Sequence, residues 1–195
     1  MKKLIYSLSV AASVICYGQK PQFSVNIKGN VVFPTGNNFM ADGLKTFSGF
    51  GLGFQGIVFH NFGIGLEFNK FYTDVKDVSV FGALKSPALT DFSISLLYQY
   101  PLNENFKIEG QAGIGSLEMK SRSDYRSDGF KETAKSVLLG AKVLYSLNES
   151  KSVQVFAGPK VYFYSSDLDF EDEAVKKYYS NATLFNINAG IRFNF

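Results

Sequence analysis

FSISLLYQY, residues 92–100, sets Phe92, Ile94, Leu96, Tyr98 and Tyr100 on one side of an extended chain, with Ser93, Ser95, Leu97 and Gln99 on the other. Side chains alternate between the faces of a strand, so an apolar period of two predicts a strand with two unlike faces. The pattern recurs on both sides of this stretch. Phe106, Ile108, Ala112 and Ile114 oppose Lys107, Glu109, Gln111 and Gly113. Val137, Leu139, Ala141, Val143, Tyr145 and Leu147 oppose Ser136, Leu138, Gly140, Lys142, Leu144 and Ser146. The last run sets Phe185, Ile187, Ala189, Ile191, Phe193 and Phe195 against Asn186, Asn188, Gly190, Arg192 and Asn194.

All such runs together predict eight strands, near 22–34, 47–59, 62–73, 90–101, 105–119, 134–147, 152–165 and 182–195. Most exceed the strand length of about 5–6 residues usual in soluble domains. They suit a tilted transmembrane strand, which needs about 9–11. The connections alternate. Those near His60–Asn61, Leu102–Glu104 and Asn148–Lys151 are tight, whereas 35–46, 74–89, 120–133 and 166–181 are long and polar. Two unlike ends of this kind mark an outer-membrane barrel, with short periplasmic turns and longer external loops.

A soluble barrel would show the same alternation with the apolar face turned inward. Three features argue for the opposite assignment. The polar stripe is rich in Gly, Ser, Asn and Gln and carries only scattered charge, too little for a solvated exterior. The apolar stripe has no charge at mid-strand; Lys70 and Glu118 interrupt it only toward the long-loop end. Aromatics bracket it: Phe23, Phe62, Tyr98, Tyr100, Phe106, Tyr145 and Phe195 toward the tight turns, and Phe33, Phe50, Tyr72, Phe92 and Phe163 toward the other end. Interfacial girdles are what a bilayer selects. Unpaired backbone in hydrocarbon costs several kcal/mol, so the sheet must close and the last strand must pair with the first. The expected fold is therefore all-β, a closed eight-stranded antiparallel up-and-down transmembrane barrel over residues 19–195.

Residues 1–18 read as a cleaved signal peptide. Lys2 and Lys3 precede an apolar run from Leu4 to Ile15, and Cys16 and Gly18 sit at the −3 and −1 positions before Gln19. Bulky Ile15 beside Cys16 argues against lipidation. Cleavage removes the single cysteine, which excludes disulfides, and leaves 18 basic against 17 acidic residues, which gives no nucleic-acid footprint.

The chain ends in NAGIRFNF, residues 188–195. Asn188, Gly190, Phe193 and Phe195 resemble the C-terminal signal of bacterial outer-membrane barrels, which implies that the barrel-assembly machinery reads this strand during insertion. The whole mature chain resembles the small outer-membrane β-barrel family of Bacteroidota, the PorT-like group, and in size the OmpX and OmpA-barrel types. YGQ at residues 17–19 and the Phe/Tyr/Asn/Lys-rich composition carry that kinship. The resemblance implies fold and location, contact with outer-membrane lipid and lipopolysaccharide, and a possible envelope protein partner. Because the family is functionally heterogeneous, it implies little about activity.

Candidate chemistry is sparse. GLGFQG at 51–56 matches a dinucleotide fingerprint only formally, since that motif needs a strand, a turn and a helix. Here Gly49, Gly51 and Gly53 fall on the inward face of one strand, where they make room for large residues such as Phe156, Tyr162 and Tyr164. No cofactor is expected. Lys28, Glu67, Glu109, Lys142, Lys160 and Arg192 share the inward stripe, either as an ion path or as a packed, paired plug. Eight strands leave an interior just wide enough for side chains, which favours the plug. His60, the only histidine, lies in the first tight turn, on the periplasmic side and away from where barrel enzymes, by resemblance, keep their catalytic histidine. The acidic run Asp167, Asp169, Glu171, Asp172 and Glu173 could attract a divalent ion, but Lys176 and Lys177 follow and a solvated loop is the simpler reading. The third long loop, with Tyr125 and Phe130, reads as a contact surface for lipopolysaccharide or protein, or as a solvated loop. The expected function is a non-enzymatic outer-membrane anchor and interaction scaffold. The alternatives are an accessory component of an envelope secretion or assembly system, and a narrow pore.

Overall fold

The structure, a computed structural model, describes residues 22–123 and 130–195. The expected signal peptide and Tyr125 lie outside the described residues.

The strands are β1 (Gln22–Thr35), β2 (Phe47–Phe59), β3 (Phe62–Tyr72), β4 (Leu84–Pro101), β5 (Phe106–Ser123), β6 (Phe130–Ser146), β7 (Val153–Ser165) and β8 (Asn181–Asn194). Each pairs antiparallel with its neighbour in the sequence, and β8 pairs with β1 from Ser24↔Asn194 to Thr35↔Thr183, closing the barrel. Every aromatic assigned to the two girdles points outward and is exposed, from Phe33 to Phe195. Between the girdles the outer surface is Ile27, Leu52, Phe54, Ile64, Leu66, Ile94, Leu96, Leu139 and Ile191. An apolar patch of this extent does not occur on a water-soluble monomer and is covered by lipid.

Three strands run farther than the alternation predicts. β4 begins at Leu84 rather than near residue 90, β5 reaches Ser123 rather than 119, and β6 begins at Phe130 rather than near 134. Their added segments project beyond the girdle at the long-loop end, and there the two faces exchange character. Outward positions become Thr90, Glu118, Lys120, Thr133 and Lys135, while inward ones become Leu89, Leu117, Met119 and Ala134. Above the lipid the outside must be wet and the inside is free to be apolar, as in a soluble barrel.

The polar inner stripe is therefore only half the lumen. At the long-loop end Val32, Phe47, Phe71, Leu89, Leu117, Leu138, Tyr162 and Leu184 form an apolar core inside the barrel. Among the described residues, three of the long loops expected to be polar connections contain short helices: α1 (Phe39–Gly43), α2 (Val78–Phe81) and α3 (Glu173–Ser180). Helices this short do not persist alone. Each has a side-chain cap on its orphan amide groups, from Asn38, Asp77 and Asp172 respectively. Phe39 and Met40 of α1 and Phe81 of α2 also join the barrel core. Asp172 thus has a structural task within the acidic run, and Asp167 is paired with exposed Lys135 at 3.2 Å.

Candidate functional site

The six inward charges named from the sequence meet in one network at mid-barrel, each at most 3% exposed. Lys28 stands opposite Gly51 on β2 and Gly190 on β8, so its stem has space on both sides. A Cβ at Gly51 would lie 2.0 Å from Asn69 Oδ1 and 2.9 Å from Lys28 Cε. Gly53 likewise faces Asn26 and Glu67. These glycines make room for polar and charged neighbours, which corrects the expectation that they accommodate Phe156, Tyr162 and Tyr164.

Glu67 on β3 is the hub. Its Oε2 accepts from Lys28 Nζ at 2.5 Å and from Lys160 Nζ, and its Oε1 accepts from Lys142 Nζ at 3.5 Å. Lys142 also donates to Glu109 Oε1 at 3.2 Å, which joins the two carboxylates. Arg192 grips Glu109 with both arms, Nη1 to Oε2 at 2.8 Å and Nη2 to Oε1 at 2.9 Å, while its Nε donates to Asn26 Oδ1 at 2.8 Å. Such a fork fixes geometry as well as charge. Gln99 and Gln55 donate to the same carboxylate at 2.9 and 3.3 Å.

One charged member of the site escaped the sequence reading. Asp91, fully buried, accepts from Asn69 Nδ2 at 2.6 Å and from Ser93 Oγ and Tyr162 Oη at 3.3 Å. It lies two residues before Ser93 on the same face, so period two was sufficient to find it. Phe156, expected inward from the sequence, also contacts the cluster: Lys142 Nζ sits 5.3 Å and Arg192 Cζ 5.8 Å from its ring centre. Such contacts favour a cation out of water, and alternation alone does not announce them.

The four residues of the terminal motif divide between faces. Asn188 points inward and donates to Gly158 O at 2.9 Å. Gly190 is packed so closely on β1 that a Cβ would lie 2.1 Å from Ile27 O. Phe193 and Phe195 are on the outer surface. His60, in the turn between β2 and β3, sets its ring edge-on to Phe59 at 4.1 Å. No group of carboxylates, histidine or cysteine suited to a metal occurs among the described residues.

Over the mouth, the loop helices bind one another through aromatic contacts. Phe39 meets Phe81 at 6.2 Å, Tyr179 at 5.9 Å and Tyr164 at 6.3 Å between ring centres. Tyr178 of α3 donates to Asp42 Oδ2 of α1 at 2.8 Å. Desolvation, with the hydrogen bond to Asp42 and its negative charge, pushes the Tyr178 hydroxyl up to about 12. A raised value in the folded state means that this tie stabilises the loops fully below the ordinary tyrosine pKa of about 10 and is lost as pH rises through about 12. Amide exchange of α3 is expected to accelerate over that window, and Tyr178→Phe, lacking the titrating group, is expected to show faster exchange at neutral pH with no further step. An identical alkaline step in Tyr178→Phe would show that another group governs it.

The lumen is thus closed twice, by a charge-paired layer and by an apolar core with helices over it. Residues 4–193 match the model of the outer membrane protein beta-barrel domain. No curated protein matches the chain. Among solved structures, Neisserial surface protein A aligns at TM-score 0.62 and 12% identity, over 91% of this chain and 100% of its own. The attachment invasion locus protein Ail of Yersinia pestis, in complex with the heparin analogue sucrose octasulfate, aligns at 0.56 and 14%, over 90% and 97%. OprG from Pseudomonas aeruginosa aligns at 0.56 and 13%, over 91% and 97%. At these identities the likeness is one of fold.

Proposed function

The chain belongs to the outer membrane protein beta-barrel domain family and resides in the outer membrane, and from that premise we propose that it is a non-enzymatic anchor and interaction scaffold. The barrel holds the chain in lipid and the long loops, facing outward, form the working surface. The observation that carries this reading is the doubly closed lumen: Glu67 and Glu109 tie four cations across the interior, and Phe39 and Met40 fill the mouth. Such an interior leaves the capped end as the surface available to a partner. The Yersinia pestis barrel crystallised with a heparin analogue supports reading a barrel of this fold as a binding protein.

Planar-bilayer recording tests the reading. The purified barrel is expected to give no steady single-channel conductance; regular steps at neutral pH would make it a narrow pore instead. Phe193 of β8 and Phe195 directly after that strand, both exposed aromatics, support recognition of the strand by the barrel-assembly machinery. The finer kinship with the PorT-like barrels of Bacteroidota rests on composition and on YGQ. It carries the alternative role, an accessory of an envelope secretion or assembly system. Crosslinking in intact cells separates the two roles, because only the accessory requires a stable membrane or periplasmic partner.

A further inference from the structure

We propose that the seam between β1 and β2 at the long-loop end binds a phosphorylated glycolipid of the outer leaflet. Lys45 and Lys76 hold its phosphate, and Phe33 and Pro34 support its acyl chain. The proposal rests on the outward placement of the long loops given above.

The seam arises from unequal pairing. The β1–β2 ladder ends at Val32↔Phe47, yet β1 continues to Thr35 paired with β8. Phe33 and Pro34 therefore have no partner on the β2 side, and proline has no N–H to offer one. The chain that leads into β2 is drawn to β3 instead. Leu44 bridges to Val75, Lys45 N donates to Asp74 O at 3.0 Å, Lys76 N donates to Gly43 O at 2.8 Å, and Thr73 Oγ1 donates to Lys45 O at 2.9 Å. Between the parted edges lies a cavity of about 560 Å³ lined by Phe33, Pro34, Ala41, Leu44, Lys45, Thr46 and Lys76.

Two features of the cavity point to an amphiphile. Its apolar wall is continuous with the lipid-covered surface, because Phe33 belongs to the aromatic girdle of that end. Its polar wall is cationic at head-group height. Lys76 Nζ donates to Ala41 O at 3.2 Å, which holds the ammonium at the cavity. The carboxylates nearby compete weakly. Lys45 and Asp74 are 3.8 Å apart with both groups more than half exposed, a pair worth little. Asp77 is occupied in capping α2, accepting from Ser79 N at 2.8 Å and Ser79 Oγ at 2.7 Å, and those bonds hold its carboxyl below the usual range. Lysine stems lie along apolar surface while their heads reach charge, and an ammonium is an effective phosphate partner. A soluble anion would use the lysines alone. A lipid uses both walls.

The test is lipid retention by the full-length barrel in phosphatidylcholine nanodiscs doped with diphosphorylated or with dephosphorylated lipid A, read by native mass spectrometry. The wild type is expected to retain the diphosphorylated form, and Lys45→Gln/Lys76→Gln to retain it at least about tenfold less. The dephosphorylated lipid should be retained weakly by both. Lys120→Gln/Lys131→Gln, a lysine pair exposed to a similar degree on β5 and β6, should behave as wild type. Equal retention by wild type and the seam variant, equal losses in both lysine pairs, or displacement by inorganic phosphate would each overturn the proposal. Labelling of Glu171→Cys with an impermeant maleimide in intact cells reports loop orientation independently. If that site is labelled while the lipid is not retained, the seam fails and the scaffold reading stands; if it is not labelled, both fail.

Discussion

Glu67→Gln is expected to destabilise the folded barrel by about 3–5 kcal/mol, the cost of removing one partner from a buried charge cluster. The substitution is nearly isosteric, so no cavity forms and the effect is electrostatic. Three ammonium groups, on Lys28, Lys142 and Lys160, converge on this carboxylate. Without it, Lys142 retains Glu109, while Lys28 and Lys160 lose the ion partner that each has in the network. Burial leaves no water to take over. Urea unfolding of wild type and variant in vesicles measures the penalty. Glu67→Gln/Lys160→Met should recover part of the loss, because the second change removes a charge that the first left stranded. If Glu67→Gln unfolds within about 0.5 kcal/mol of wild type, the interior is hydrated and the lumen is not sealed by this layer.

That layer was legible in the sequence because period two carries both faces at once. Any charge on the Ser93–Gln99 side of a strand had to face the lumen, and Lys28, Glu67, Glu109, Lys142, Lys160 and Arg192 do. Alternation does not say which inward groups touch, since that depends on barrel stagger. Glu67 and Lys160 are 93 residues apart in the chain. The strand ends of β5 and β6 were misjudged for a different reason. Along β5 the apolar positions are even-numbered through Ile114 and odd-numbered from Leu117. Such an inversion looks like the end of a strand, yet the ladder runs through it without a bulge, from Phe106↔Tyr145 to Ser121↔Phe130. What changes there is the solvent and not the backbone. A phase inversion with unbroken register marks where the strand leaves lipid. The loop helices had no such signal, because helices of 5, 4 and 8 residues exist through their caps and the core they cover.

The same inversion sets the position dependence of the second large effect. Leu96→Arg is expected to cost about 2–4 kcal/mol, whereas Thr90→Arg, on the same face of the same strand, should cost about 0–1 kcal/mol. Leu96 is 68% exposed, paired beside Ile64 and Ala112, with Tyr98 and Tyr100 on one side and Phe92 on the other. Six residues of strand separate the two sites, about 20 Å along a chain that is tilted in the membrane. In a water-soluble barrel an exposed leucine is a harmless place for arginine, and Leu96→Arg would improve solubility at little cost. In lipid the guanidinium must stay near the hydrocarbon centre or drag water to itself, while at Thr90 it reaches the head groups directly. Folding free energies of both variants in vesicles decide the matter. A clear penalty at Leu96 alone places the bilayer between the aromatic rows. Equal and small penalties at both sites would mean that the apolar belt is not covered by lipid, and the inward assignment of every charged residue would lose its cause.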